Sequence, residues 1–332
     1  MTQATLDVVA IGNAIVDILA QSDDAFLAAE GMTKGSMQLV FSPADADALY
    51  AKMGPGREVS GGSAANTVAA IAALGGRCGF IGQVADDQLG AVFAHDIRAT
   101  GVRFDTAVRA GEPTTARCLI FVTPDGQRTM NTFLGASQFL PEAALDADLI
   151  ASGAILYLEG YLWDPEEPRA AMRAGIRIAR EAGRKVAFTL SDTFCISRHG
   201  DDFRALIADG QVDILFANEN ELLALAQVED FDAAVERIAV QVPTLVVTRG
   251  EHGAIAVQDG VRTSVAAEPI ERLVDTTGAG DLFAAGFLHG QAQGHDVERS
   301  LRMGALCAAE IISHYGARPE VDLRKLIAAK LG

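Results

Sequence analysis

The chain has 332 residues, 49% of them hydrophobic and 21% charged, the balance of a globular protein with a full core. Its net charge of −17 argues against nucleic acid or an anionic membrane as partner, since both select a basic surface. A phosphate-bearing ligand stays open, because a local cradle of N–H groups can outweigh the global field.

The first strand, Val8–Ile11, runs into Gly12-Asn13, with Asp17 close behind. An Asp in so apolar a stretch has few comfortable structural roles; at a strand end it is suited to two neighbouring sugar hydroxyls. Gly61-Gly62-Ser63-Ala64-Ala65-Asn66 opens a helix of small residues that runs to Leu74. Two glycines permit close approach of a ligand, and Ser63 and Asn66 offer neutral hydrogen bonds, although Ser63 also suits a plain N-cap. A second helix covers Asp87–Ala99.

From Arg103 to Leu134 the pattern turns to β-hairpin: strands at Arg117–Thr123 and Arg128–Phe133, joined by the tight-turn chemistry of Pro124-Asp125-Gly126. Such an insert is either a cover over a site or an ordinary edge hairpin. Arg128 on it is either a solvated surface residue or a guanidinium brought over a transferring phosphoryl group.

The second half alternates. Strands are expected at Ala154–Leu158, Val186–Leu190, Asp213–Phe216 and Leu245–Thr248. Helices are expected at Arg169–Glu181, Asp201–Ala208, Glu219–Ala226 and Phe231–Val240. Short apolar strands between helices indicate a parallel sheet covered on both faces, with ligands beyond the C-terminal strand ends. Asn218 to Glu221 sits at one such end. It reads as a capping box, or as an acidic pair that orders Mg²⁺ and its waters. Thr248-Arg249-Gly250-Glu251-His252-Gly253 sits at another, as a tight turn or a loop along nucleotide phosphates.

Asp275-Thr276-Thr277-Gly278-Ala279-Gly280-Asp281 precedes an apolar helix. The N–H groups of Gly278, Ala279 and Gly280 can converge at the positive helix end, beside the carboxylate of Asp281. Asp281 is either a helix cap or a base beside an anion cradle, the pairing that phosphoryl transfer to a hydroxyl requires.

Absent motifs narrow the field. There is no GxxxxGK[ST], no GxGxxG after the first strand, no HExxH and no GxSxG. Cys78, Cys118, Cys195 and Cys307 are widely spaced, which suits buried thiols rather than zinc or disulfides. No basic leader or long charge-free apolar run occurs, so a cytoplasmic enzyme without membrane spans is expected.

Taken together, these segments resemble the PfkB, or ribokinase-like, carbohydrate kinases. Asp275–Asp281 resembles their C-terminal signature and Gly61–Thr67 their N-terminal glycine signature. Asn218–Glu221 matches an NxxE motif and Thr248–Gly253 a TxGxxG loop, and all four occur in family order. The resemblance implies a three-layer α/β/α core with a mostly parallel sheet and a small β-sheet lid. One domain over 1–332 is expected, with lid elements near 12–50 and 103–134.

It also implies ATP- and Mg²⁺-dependent phosphorylation of a hydroxymethyl group on a nucleoside or sugar, by a monomer or homodimer. Asp281 would be the base, Gly278, Ala279 and Gly280 the anion hole, and Arg128 a further catalytic group. Asn218, Thr248, Gly250 and Gly253 would hold ATP, with Glu221 on Mg²⁺ through water. Many members use a monovalent cation such as K⁺, which would sit at Asp275 and Thr277 with the Gly316 region. Gly12–Asp17 is similar to the opening of adenosine kinases, which implies that Asn13, Asp17, Gly62, Ser63 and Asn66 hold a ribose and Tyr161 faces the base. Thr277, where adenosine kinases often carry Asn, and the Gly126–Thr129 hairpin look more like other sugar kinases. The alternatives are therefore a kinase of ribose, fructose or a related sugar, and a non-catalytic binder on the same fold.

Overall fold

The computed structural model describes residues 4–332. A nine-stranded sheet forms the centre, in the order Val261–Val265, Ala254–Gln258, Thr244–Thr248, Ile214–Asn218, Lys185–Thr189, Gly153–Glu159, Leu6–Ile11, Cys78–Ile81, Arg103–Phe104. Its strands pair in parallel except where Ala254–Gln258 and Val261–Val265 add an antiparallel edge.

Alternate side chains on each central strand enter different cores. Val8, Ala10, Ile155, Tyr157 and Phe216 join one with the helices Ser63–Ala73, Ala279–Ala292 and Val297–Ile311. Val9, Ile11, Leu156, Leu158 and Leu215 join the other with Glu166–Glu181, Thr193–Ala208 and Glu219–Ala226. Burial on both faces explains the unbroken apolar runs of these strands. The helix expected at Asp201–Ala208 begins eight residues earlier, at Thr193, because Asp192 caps it by accepting from the Cys195 N–H at 2.6 Å. All four cysteines are free and buried.

The second sheet has five strands, in the order Met37–Leu39, Arg128–Phe133, Ala116–Val122, Ile15–Gln21, Gly56–Gly61. It differs from the expected lid segments at two places. Gly56–Gly61 joins it from outside 12–50, and Arg103–Phe104 pairs with the large sheet instead. The period of two gives this sheet two faces. Val16, Ile18 and Ala20 are buried, whereas Ile15 and Asp17 point with Cys118, Ile120, Met130 and Thr132 into a large cavity.

Helix Ala279–Ala292 packs on Val297–Ile311 with almost no side chain between the two backbones. A Cβ on Gly286 would lie 2.6 Å from the Met303 carbonyl oxygen. This contact fixes the start of the helix, and with it the loop Asp275–Gly278.

Candidate active site

The cavity holds about 800 Å³ and opens where the parallel strands end. Asn13 follows the first strand, Glu159 ends its neighbour, and Asn218 and Thr248 end two more. The second sheet forms one wall, and Thr276 to Asp281 with the helix start at Ser63 form the floor.

Asp281 does not cap its helix. Gly278 occupies the N-cap in the left-handed region, at φ 79°, and Asp281 stands three residues on. Its carboxylate instead accepts from Ser63 Oγ at 2.6 Å and Asn66 Nδ2 at 3.0 Å. Ser63 and Asn66 are three apart on one helix, so both side chains face the same neighbour. Both line the cavity: the Ser63 hydroxyl proton and one Asn66 N–H go to Asp281, and Asn66 Oδ1 accepts from Arg318 Nη1 at 2.5 Å. Each also keeps capacity toward the cavity, a second N–H on Asn66 and the lone pairs of Ser63 Oγ.

Gly62 must be glycine. Its φ is 101°, and a Cβ there would lie 2.1 Å from the Asn13 carbonyl oxygen. That contact brings Asn13 against the helix start. Asp17 also lines the cavity, and its carboxylate accepts no hydrogen bond from the described side chains. Tyr161 lines the opposite side, its hydroxyl donating to the Ser191 carbonyl at 3.2 Å.

Asn218 and Glu221 form the capping box in full. Glu221 N–H donates to Asn218 Oδ1 at 2.9 Å, and both Glu221 oxygens accept from Asn218. Glu221 is nevertheless part of the cavity wall. Thr248 reaches the cavity, whereas Gly250 and Gly253 do not line it; they shape a turn that Arg249 anchors on Glu219 at 3.2 Å.

Arg128 is neither a solvated surface residue nor in the large cavity. It is buried, and its Nη1 lies 2.9 Å from Asp275 Oδ2, with the guanidinium over the Tyr315 ring. It lines a smaller cavity of about 110 Å³, with Asp17, Arg57 and Arg318. A residue 147 positions away in sequence supplies its partner, which no local pattern reveals.

Two residues of the site escaped the sequence reading. Glu159 is fully buried, its Oε1 accepting from the Asn13 N–H and Nδ2, each at 2.7 Å, and its Oε2 from the Ala64 N–H at 2.7 Å. It ties the first strand end to the glycine turn. A carboxylate ending an otherwise apolar strand, Leu156-Tyr157-Leu158-Glu159, was the available signal. Arg318 donates to Ser60 and Asn66 and places a positive charge near Asp17 and Asp281. Nothing in its own segment marks it.

Burial pushes the carboxyls of Asp17 and Asp281 up to about 6, and those of Glu159 and Glu221 up to about 7. Ser63 and Asn66 oppose the shift at Asp281, Arg318 and Arg128 that at Asp17, and the N–H donors that at Glu159. Each group binds its proton more tightly folded than unfolded. Its stabilising contribution is complete below the unfolded value of about 4 and is lost as the pH rises through 6 to 7. The ligand-free protein should therefore show a falling unfolding temperature between about pH 4 and 7 at constant ionic strength, read by calorimetry. A rising one would mean that these carboxylates are not the dominant titrating groups.

An α/β/α core with its ligand cavity at the strand ends, a glycine loop opening a helix, and a carboxylate beside that loop define a phosphotransferase site. The profile of the pfkB family carbohydrate kinases matches residues 8–323, and the chain belongs to that family of ATP-dependent kinases. Among solved structures it is similar to the adenosine kinase of Sinorhizobium meliloti, at 49% identity and TM-score 0.90 over 98% of this chain and 99% of that one. It is similar to a probable sugar kinase from Rhizobium etli CFN 42, at 46% identity and TM-score 0.91 over 99% and 98%. It is also 28% identical to fructokinase-1 of Oryza sativa subsp. japonica, over 88% of this chain and 96% of the relative. No helix among the described residues is long and apolar enough to cross a membrane.

Proposed function

We propose that this kinase transfers the γ-phosphoryl group of ATP to the 5′-hydroxyl of adenosine, giving AMP and ADP. The observation that carries the reaction is the Asp281 carboxylate, held by Ser63 and Asn66 at the floor of the cavity beside Gly278, Ala279 and Gly280. Asp281 accepts the hydroxyl proton as the hydroxyl oxygen forms its bond to phosphorus and the bond to ADP breaks. Its pKa of about 6 leaves it mostly ionised at neutral pH yet basic enough to act. The N–H groups of Gly278 to Gly280 stabilise the charge that develops on the moving group.

Asn218 and Thr248 line the cavity at the ends of two parallel strands, which supports them as the residues along the ATP phosphates. No group of three or more His, Cys, Asp or Glu side chains among the described residues could cage a metal. That suits Mg²⁺ carried by phosphate oxygens and water. Each Glu221 oxygen keeps a lone pair free for a metal-bound water after accepting from Asn218.

Asn13 and the open carboxylate of Asp17 suit the ribose hydroxyls. The lining beyond them is mixed: Ile15, Met37, Leu39, Ile120 and Met130 with Tyr161 and Phe194 are apolar, while Ser191, Asp192 and Arg198 are polar or charged. The apolar side chains suit the faces of a flat base, and the polar ones its edge nitrogens. Met37 and Leu39 are 47% and 39% exposed, apolar surface that closure of the second sheet over a bound base would cover. We take that sheet as a cover within one domain, excluding water from the transfer. Four buried free thiols suit a cytoplasmic enzyme.

The likeness to the Sinorhizobium meliloti adenosine kinase supports the nucleoside; the likeness to rice fructokinase-1 supports a sugar as second reading. Coupled ADP-release assays across adenosine, other nucleosides, ribose, fructose and 2-keto-3-deoxygluconate separate them. Adenosine should give the highest kcat/KM. A sugar with the higher value replaces the acceptor and leaves the kinase in place.

A further inference from the structure

We infer that Arg128 is a built-in cation for the Asp275–Asp281 loop, in the place where a K⁺ ion was expected at Asp275, Thr277 and Gly316. The residues do not fit the ion. Asp275 Oδ1 accepts from the Thr277 N–H at 3.0 Å, and Oδ2 accepts from the Gly316 N–H at 3.3 Å. Oδ2 also faces Arg128 Nη1 at 2.9 Å. Each oxygen of the carboxylate thus accepts one backbone N–H, and the guanidinium neutralises its charge.

The pair is shielded from water, with 5% of the Arg128 side chain exposed and 8% of that of Asp275. A second cation at this carboxylate would meet the guanidinium at close range, where burial weakens the screening of the repulsion. Arg128 is on a strand of the second sheet, and its Nε and Nη2 have no hydrogen-bond partner among the described residues. One buried pair therefore joins the cover to the loop that carries Gly278 to Asp281. Arg128 acts as a positioning residue: it holds Asp275, Asp275 holds Thr277, and the glycine N–H groups follow.

The test compares potassium chloride with tetramethylammonium chloride at matched ionic strength, by thermal unfolding and by kcat. The wild-type protein should show the same unfolding temperature and the same kcat in both salts. R128Q should unfold several degrees lower, because it leaves the Asp275 carboxylate buried and unpaired, and R128Q/D275N should recover most of that loss. The folded double variant lacks the tether, so its kcat should fall about 10-fold or more while KM for ATP holds. A saturable, K⁺-specific rise in the wild-type unfolding temperature would overturn the inference. So would simple additivity of the two single losses, or a wild-type kcat in the double variant. Where R128Q does not fold, the salt comparison on the wild-type protein decides. The unfolding measurements read the ion pair whichever hydroxyl is the acceptor, so the failure of this inference and of the adenosine assignment are separate results.

Discussion

Asp281→Asn should lower kcat by about 10²–10⁴-fold, the range that a positioned general base contributes, while ATP affinity stays near that of the wild type. The substitution keeps the shape and removes the basic oxygen pair. Ser63 Oγ and Asn66 Nδ2 now donate to a carboxylate, at 2.6 and 3.0 Å. An amide can accept from only one of them well, because its NH₂ end meets a donor. The side chain therefore loses its orientation as well as its proton affinity. Asn218 and Thr248, the proposed ATP-side residues of the cavity, are untouched, so binding and chemistry separate. The pH profile gives a second reading of the same group. A base with a pKa of about 6 is protonated and idle below that pH, so kcat/KM should rise with pH through 6 and level off above it. Ligand-free stability runs the other way over this interval, so the pH that favours the fold disfavours the reaction. Single-turnover rates with labelled ATP check the first expectation. A variant with near-wild-type kcat would remove Asp281 from the mechanism.

Glu159→Ala should be the most damaging single change at the site that touches no reacting atom. Its two oxygens accept three hydrogen bonds at 2.7 Å from Asn13 and Ala64. Truncation leaves those donors buried without partners, at about 1–3 kcal/mol for each unsatisfied group. The loss should reach about 3 kcal/mol or more in denaturant unfolding, and KM for the acceptor should rise as Asn13 loses its orientation. Glu159→Gln is the informative control. Its amide oxygen can still serve both Asn13 donors, while its NH₂ faces the Ala64 N–H, so one bond is lost instead of three. A loss below about 1 kcal/mol for the Ala variant would mean that water replaces the carboxylate and that Glu159 does not hold the turn.

The parts legible in advance share a physical feature: each rests on neighbours in sequence. The Asn218–Glu221 capping box spans three residues and formed as its spacing requires. The strand Val8–Ile11 carries its burial in consecutive apolar side chains, and Pro124-Asp125-Gly126 makes its own turn. Boundaries failed where the signal was a single side chain, as at Asp192, whose capping bond starts a helix eight residues before the expected position. The local alternatives for Asp281 and Arg128 resolved against the simple structural reading in both cases. Asp281 is not a cap, because Gly278 already fills that position. Arg128 is not at the surface, because Asp275 and Tyr315 enclose it.

By itself the sequence determined the α/β class, the strand ends at which polar residues gather, and the glycine loop that opens the last motif. Backbone preference, period and turn chemistry act over a few residues, and one chain displays them directly. The tertiary structure alone decided which of these segments meet. Ser63 and Asn66 reach Asp281 across 218 and 215 positions, Glu159 reaches Asn13 across 146, and Arg128 reaches Asp275 across 147. Such pairings are set by how the helices pack on the sheet and by the close backbone contact at Gly286, not by propensity. They also give side chains partners that no local pattern displays. Two expected ligand binders bond the Asp281 carboxylate, an expected catalytic guanidinium pairs with Asp275, and a carboxylate that drew no notice ties Asn13 to the glycine turn.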